Sequence, residues 1–68
     1  MKLKDFIANR DFDVNADYEI YYGTWDDGGE CIWDSVMGKL SQDNFIAQYN
    51  ITYITVDADT GKIIIEVA

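Results

Sequence analysis

Histidine is absent from this chain, and Cys31 is its single cysteine. One cysteine cannot form an internal disulfide, and without histidine or a second cysteine the usual zinc sites cannot be assembled. An unpaired thiol is typical of proteins in a reducing compartment. We therefore predict a cytoplasmic protein.

The same absences argue against an enzyme. Without histidine, and with one cysteine that has no neighbouring base, the usual pairs of nucleophile and base cannot be built. Paired carboxylates are the groups that hydrolyse glycosidic bonds, but a domain of 68 residues has little room for the necessary cleft. We predict no catalytic residue and no cofactor.

Basic residues are scarce, because 5 Lys and Arg stand against 13 Asp and Glu and give a net charge of −8. Residues 11–34 contain no base and eight acids, which are Asp11, Asp13, Asp17, Glu19, Asp26, Asp27, Glu30 and Asp34. Contact with phosphates needs clustered lysine and arginine, so direct binding of nucleic acid is not expected. An anionic membrane surface would repel the chain for the same reason.

Long apolar runs are also missing. No stretch approaches the 18 or so residues of a membrane span, and "MKLKDFIANRDFD" has no apolar segment of signal-peptide length. What is present is a 49% hydrophobic share that includes ten aromatic residues (2 Trp, 5 Tyr and 3 Phe). Such a composition predicts one folded domain over residues 1–68.

Two short helices are predicted. Leu3, Phe6 and Ile7 follow the i, i+3, i+4 rule, so "KLKDFIANR" should place one apolar stripe on the core. "DFDVNAD" then favours a turn. Ser41 is a suitable N-cap for a second helix over residues 42–48.

Two hairpins account for most of the remaining sequence. "DYEIYYGTW" and "ECIWDS" alternate around "DDGG" and predict a hairpin over residues 18–35. "NITYITV" and "KIIIEV" flank "DADTG" and predict a second one over residues 51–67, with Gly61 in the left-handed region. The order α-β-β-α-β-β indicates a small α+β domain. Both antiparallel hairpins should form one four-stranded sheet with one or two short helices on one face.

A tight turn at "DDGG" sets the register of the first hairpin, so that Tyr22 should face Trp33 and Trp25 should face Glu30. The side toward the core is then predicted to carry Tyr18, Ile20, Tyr22, Thr24, Cys31 and Trp33. The other side should carry Glu19, Tyr21, Trp25, Glu30, Ile32 and Asp34. Tyr21 and Trp25 are either covered by a helix or by the C-terminal segment, or exposed as an aromatic and acidic patch, and the pattern leaves both open.

No metal site is predicted. "DADTGKIIIE" begins like a calcium loop, but its later positions, including Gly61 and Lys62, do not match the EF-hand pattern. Adjacent carboxylates at a turn, such as Asp26 and Asp27, rarely converge on one ion. The candidate site is instead a surface for a protein partner, since aromatic anchors with a charged rim are typical of interfaces. Its residues are Glu19, Tyr21, Trp25, Asp26, Asp27, Glu30 and Asp34.

The opening "MKLKDFI", the middle "GKLSQDNFI" and the closing "ITYITVDADTGKIIIEV" resemble short acidic proteins of phages and mobile elements in Gram-positive, often gut, bacteria. Small acidic proteins of such elements include anti-CRISPR and anti-restriction inhibitors, some of which imitate DNA. The resemblance implies no fixed activity and transfers no catalytic residue, but it adds an inhibitor of this kind to the functions to be weighed.

Two functions remain. In the first, the acidic hairpin binds and inhibits a basic protein that handles nucleic acid. In the second, the chain is a small structural domain without inhibitory role, a homodimer joined through an edge strand or through the face of Tyr21 and Trp25. A dimer through that face would bring like charges together, which favours the first hypothesis.

Overall fold

The computed structural model describes residues 1–8 and 17–68. It contains one α-helix, α1 (Leu3–Ala8), and four strands, β1 (Tyr18–Tyr22), β2 (Glu30–Asp34), β3 (Ile51–Val56) and β4 (Ile63–Val67). Two short 3-10 helices, η1 (Ser35–Met37) and η2 (Phe45–Gln48), lie between β2 and β3. The predicted turn at "DFDVNAD" falls almost entirely on residues 11–16, outside the described residues.

The four strands form one sheet in the order β2-β1-β4-β3. β1 with β2 and β3 with β4 are the antiparallel pairs, and β1 lies parallel to β4. The predicted α+β class with a single four-stranded sheet is therefore confirmed. The apolar run Ile63-Ile64-Ile65 lies in an interior strand, as a run that is apolar on both faces requires.

The core lies on one side of the sheet, where α1 and η2 cover it. Its buried cluster consists of Leu3, Tyr18, Ile20, Leu40, Ile46, Ile65 and Val67. Leu3, Phe6 and Ile7 form the apolar stripe of α1, and Leu3 is fully buried. The N–H of Leu3 donates to the carbonyl of Tyr49 at 2.9 Å. The opposite side of the sheet, called the outer face below, carries Glu19 and Tyr21 beside two buried residues of β4, Ile64 and Glu66.

The predicted α-helix over residues 42–48 is wrong in type and length. Ser41 Oγ accepts from the N–H of Asp43 at 3.2 Å, and Asn44 Oδ1 accepts from the N–H of Ile46 at 3.0 Å. Two short polar side chains that bind backbone two residues ahead compete with helical hydrogen bonding. The segment becomes a turn followed by η2, which Asn44 caps.

The second hairpin turns as predicted. The N–H of Asp57 donates to the carbonyl of Lys62 at 2.9 Å, and that of Gly61 to the carbonyl of Asp57 at 2.7 Å. Gly61 has a φ of 74°, the left-handed conformation that its place in the turn requires. Among the residues that the structure describes, no helix is long and apolar enough to cross a membrane.

Candidate functional site

A β-bulge controls which side chains the first hairpin presents. Ile20 lies opposite Trp33, but the next residue, Tyr21, lies opposite Cys31. Ile32 is therefore an extra residue in β2, and the alternation of that strand reverses phase at this point. The predicted pairing of Tyr22 with Trp33 is wrong, since Glu30 is the residue opposite Tyr22.

The loop explains the different register. It spans residues 23–29, seven residues between Tyr22 at the end of β1 and Glu30 at the start of β2, instead of two or four. The carbonyl of Thr24 accepts from the N–H groups of Asp27 (3.2 Å) and Gly29 (2.7 Å), which closes a turn beyond the strand ends. Trp25 consequently lies in the loop and does not pair with Glu30.

The bulge places Cys31 on the outer face, whereas the sequence predicted it in the core beside Trp33. Cys31 is exposed, and its Sγ lies within 4.8 Å of carboxylate oxygens of both Glu19 and Asp34. Tyr21, opposite Cys31, joins the same side of the sheet. The structure thus brings together three of the predicted binding residues, Glu19, Tyr21 and Asp34, and adds a thiol to them.

Both weak acids of this cluster are held protonated. Partial burial and the nearby Glu19 carboxylate raise the pKa of the Cys31 thiol, and Asp34 adds to the rise. Burial and the same Glu19 raise the pKa of Tyr21, and the neighbouring Cys31 adds to the rise. Neither the thiol nor the phenol therefore contributes negative charge to the cluster at neutral pH. A protonated thiol is a poor nucleophile.

Within residues 1–8 and 17–68, one group of three possible metal ligands lies close together, and it consists of Glu19, Cys31 and Asp34. Structural zinc sites use four ligands, mostly thiolate and imidazole. This group offers two carboxylates and a thiol whose raised pKa disfavours the thiolate. The donor set does not match that requirement, and we derive no metal function from it.

The remaining predicted binding residues are spread over the loop and the other side of the sheet. Asp26 and Asp27 are exposed in the turn. Trp25 is half-buried, and its backbone N–H donates to Oε2 of the buried Glu66 at 3.3 Å. Glu30 lies opposite Tyr22 and so shares the core side of the sheet, away from Glu19.

An aromatic cluster that the sequence did not predict lies beside Glu30. Tyr22, expected in the core, is 48% exposed, and its ring centroid lies 5.2 Å from that of Tyr49. The exposed Phe45 meets Tyr49 edge-on at 6.5 Å. Tyr22 ends β1, whereas Phe45 and Tyr49 lie at the two ends of η2, so these rings come from segments distant in sequence and no local pattern identifies them.

Within the part of the chain that the structure describes, the acids of the hairpin form no ion pair. Asp17, Asp26, Asp27 and Glu30 are exposed, whereas Glu19 and Asp34 are half-buried. Asp11 and Asp13, the other two acids of the cluster in sequence, lie outside the described residues.

Comparisons with models of protein families, with curated proteins and with solved structures return no match for this chain.

Proposed function

We propose that this protein is a non-catalytic interaction module that binds a basic surface of another protein through the acidic hairpin. One observation carries the proposal. The carboxylates of Glu19 and Asp34 converge on the outer face, and those of Asp26 and Asp27 project from the adjoining loop, with no basic partner among the described residues. Oδ1 of Asp34 caps η1 by accepting from the N–H of Val36 at 2.8 Å, whereas the other three carboxylates have no such bond among the described residues. Like charges this close repel, and a basic partner would relieve that repulsion.

The energy that drives such binding is Coulombic. A carboxylate and an ammonium group 4 Å apart attract by about 1 kcal/mol in water and by about 4 kcal/mol near a protein surface. Several such contacts steer the encounter and accelerate association, and salt weakens them. Binding should therefore be fast and strongly dependent on ionic strength.

The partner that fits this chemistry is a basic protein that handles nucleic acid. Its lysine and arginine side chains are arranged for phosphates, and carboxylates on a twisted strand pair can occupy the same positions. An inhibitor of the DNA-mimic, anti-CRISPR or anti-restriction type, encoded by a phage or mobile element and acting in the cytoplasm, is the function we propose. The resemblance in sequence to short acidic proteins of such elements supports it.

Tyr21 and Trp25 are the proposed anchors. Both are half-buried, Tyr21 beside the half-buried Glu19 and Trp25 beside the exposed Asp26, so a partner can desolvate them further. Aromatic side chains with a charged rim account for most of the binding energy in many interfaces. A homodimer through this face is disfavoured, since it would oppose Glu19 and Asp34 of one copy to the same carboxylates of the other.

Affinity capture from a bacterial lysate tests the proposal, with two charge-reversed variants that have the same net charge. Asp26→Lys/Asp27→Lys alters the hairpin loop, and Asp43→Lys/Asp59→Lys alters two exposed acids outside it. The natural protein and the Asp43/Asp59 variant should retain basic nucleic-acid-binding proteins at about 50 mM salt and release them at about 500 mM, well beyond the screening limit of surface charges. The loop variant should retain much less. Equal retention by both variants, or capture that salt does not change, would contradict the proposal.

A further inference from the structure

The two edges of the sheet differ in charge. β2 begins with Glu30 and ends with Asp34, and charged edges resist pairing with another strand. β3 at the other edge reads ITYITV and carries no charge. Tyr53, Ile54 and Val56 are 56%, 41% and 60% exposed, so apolar surface continues along this edge on both faces.

The backbone of β3 also has free hydrogen-bonding groups. Because the N–H of Asp57 donates to Lys62 on the β4 side, alternation directs the backbone groups of Ile54 and Val56 away from β4. The beginning of this edge is already occupied by an isolated bridge between Lys2 and Asn50, where the N–H of Ile51 donates to the carbonyl of Met1 at 2.8 Å. Residues 53–56, which follow the irregularity between Ile51 and Tyr53, are the regular part of the edge that remains free.

We propose that this free edge binds a second copy of the chain, with β3 pairing antiparallel to β3 and Ile54 opposite Ile54 of the second copy. The edge is complementary to itself. Tyr53 then lies opposite Thr55 of the second copy, and pairs of aromatic and β-branched residues stabilise antiparallel strands.

The net charge of the chain favours pairing through β3 over other contacts between two copies. Each chain carries −8, so most contacts between two copies would oppose carboxylates. The uncharged β3 edge allows two copies to meet without that repulsion. It also closes the assembly at two copies, because a twofold axis through Ile54 uses both free edges at once.

The dimer would be one continuous sheet of eight strands. A twofold axis perpendicular to the sheet leaves the outer faces of both copies on the same side. The two β1 strands would be separated by five strand spacings, about 24 Å. If the proposed function holds, the dimer presents two acidic hairpins to one partner, but the pairing itself does not depend on that function.

Salt separates the two proposals. A single strand pair buries less than the roughly 1,200–2,000 Å² of a standard interface, so the dimer should be weak and depend on concentration. Added salt screens the repulsion between the two acidic chains and should strengthen the dimer. The same salt should weaken binding to a basic partner. A failure of one proposal is therefore distinguishable from a failure of the other.

Sedimentation equilibrium from about 10 µM to about 1 mM, the range of weak association, measures the dimer. We expect the mass to rise from 7.8 kDa toward twice that value, and to rise at lower concentration when salt is added. Val56→Lys should weaken the dimer at least tenfold, because it places a charge on the edge. Val36→Lys, the same substitution at a position 88% exposed in η1, should leave it unchanged.

A cross-link provides the second measurement. Directly opposite Cα atoms in a hydrogen-bonded pair lie about 5.5 Å apart, within the range of a disulfide. In a Cys31→Ser background, Ile54→Cys should form a covalent dimer much faster than Val36→Cys under mild oxidation. A monomer at all concentrations, growth beyond two copies, equal effects of the two lysine variants, or equal cross-linking at both positions would overturn the proposal.

Discussion

Replacing Gly29 with alanine should displace the loop that carries Asp26 and Asp27. A Cβ atom at this position would lie 2.5 Å from the carbonyl oxygen of Thr24 and 2.8 Å from its carbon. Both are backbone atoms, so no rotation of a side chain can relieve the contact. The turn has to open, and the 2.7 Å hydrogen bond from the N–H of Gly29 to Thr24 is stretched or lost.

The expected cost follows from these two effects. Overpacking against a fixed backbone costs about 1–3 kcal/mol, and a lost hydrogen bond costs about 1 kcal/mol. The free energy of unfolding should therefore fall by about 2–4 kcal/mol. For a domain of this size, that lowers the melting temperature by about 8 °C or more.

Gly28→Ala is the matched control, since it adds the same methyl group one residue earlier. A Cβ atom there meets nothing within 4 Å, but the residue has a φ of 83°, so the cost is that of a left-handed alanine, about 1–2 kcal/mol. Thermal melts followed by circular dichroism, with urea unfolding as a second measure, rank the variants. A Gly29 variant that melts with the natural protein, or above the Gly28 variant, would refute the close approach to Thr24.

Three further predictions concern charge and the tryptophans. The free energy of unfolding should be constant from pH 7 to about pH 8 and fall above it, because the pKa values of Cys31 and Tyr21 are raised from 9.0 and 10.0 in the folded protein. The unfolded chain releases these protons first and is therefore favoured as the pH rises. Melts from pH 7 to 11 test this, with Cys31→Ser expected to remove the earlier part of the decline, and a flat profile would contradict it. Melting temperature should rise with salt between about 10 and 200 mM, because unpaired carboxylates about 5 Å apart repel by roughly 0.8 kcal/mol per pair in water, and melts that ignore salt would count against the clustered charge. Trp25→Ala keeps the backbone N–H that donates to Glu66, so this variant should stay folded. Its binding free energy for the partner should become weaker by at least about 2 kcal/mol. The ring of Trp33 packs against the core, and its Nε1 donates to the carbonyl of Gly38 at 3.2 Å. Trp33→Ala should therefore lower the free energy of unfolding by about 3 kcal/mol or more. The reverse pattern would show that Trp25 is the structural residue.

Local patterns predicted the strands and one turn of this fold. The alternation in residues 18–35 and 51–67 located both hairpins. Gly61 marked the second turn, which requires a residue in the left-handed conformation at that position. The parallel contact between β1 and β4 was outside such reasoning, because it joins segments more than 40 residues apart through side chains that many arrangements could bury equally well.

The candidate site was predicted in composition but not in arrangement. Glu19 and Asp34 are paired in the regular part of the ladder, and Tyr21 lies in β1, which has no extra residue. These three residues therefore share a face. Cys31 and Glu30 changed sides because Ile32 is an extra residue, and a one-residue slip reverses every side chain beyond it. The bulge depends on the seven-residue loop, in which a pair of glycines suits several turn geometries.

The central position of β4 has a consequence for how the chain folds. β4 follows the other strands in sequence, yet it lies between β1 and β3 and joins the two hairpins. Each hairpin can form from nearby residues, but β1 gains its second neighbour only when residues 63–67 arrive, and long-range contacts of this kind slow folding. During synthesis, a chain that lacks these residues would expose an unpaired and apolar edge at Tyr18 and Ile20. This interval is when the protein is most susceptible to aggregation and to proteases.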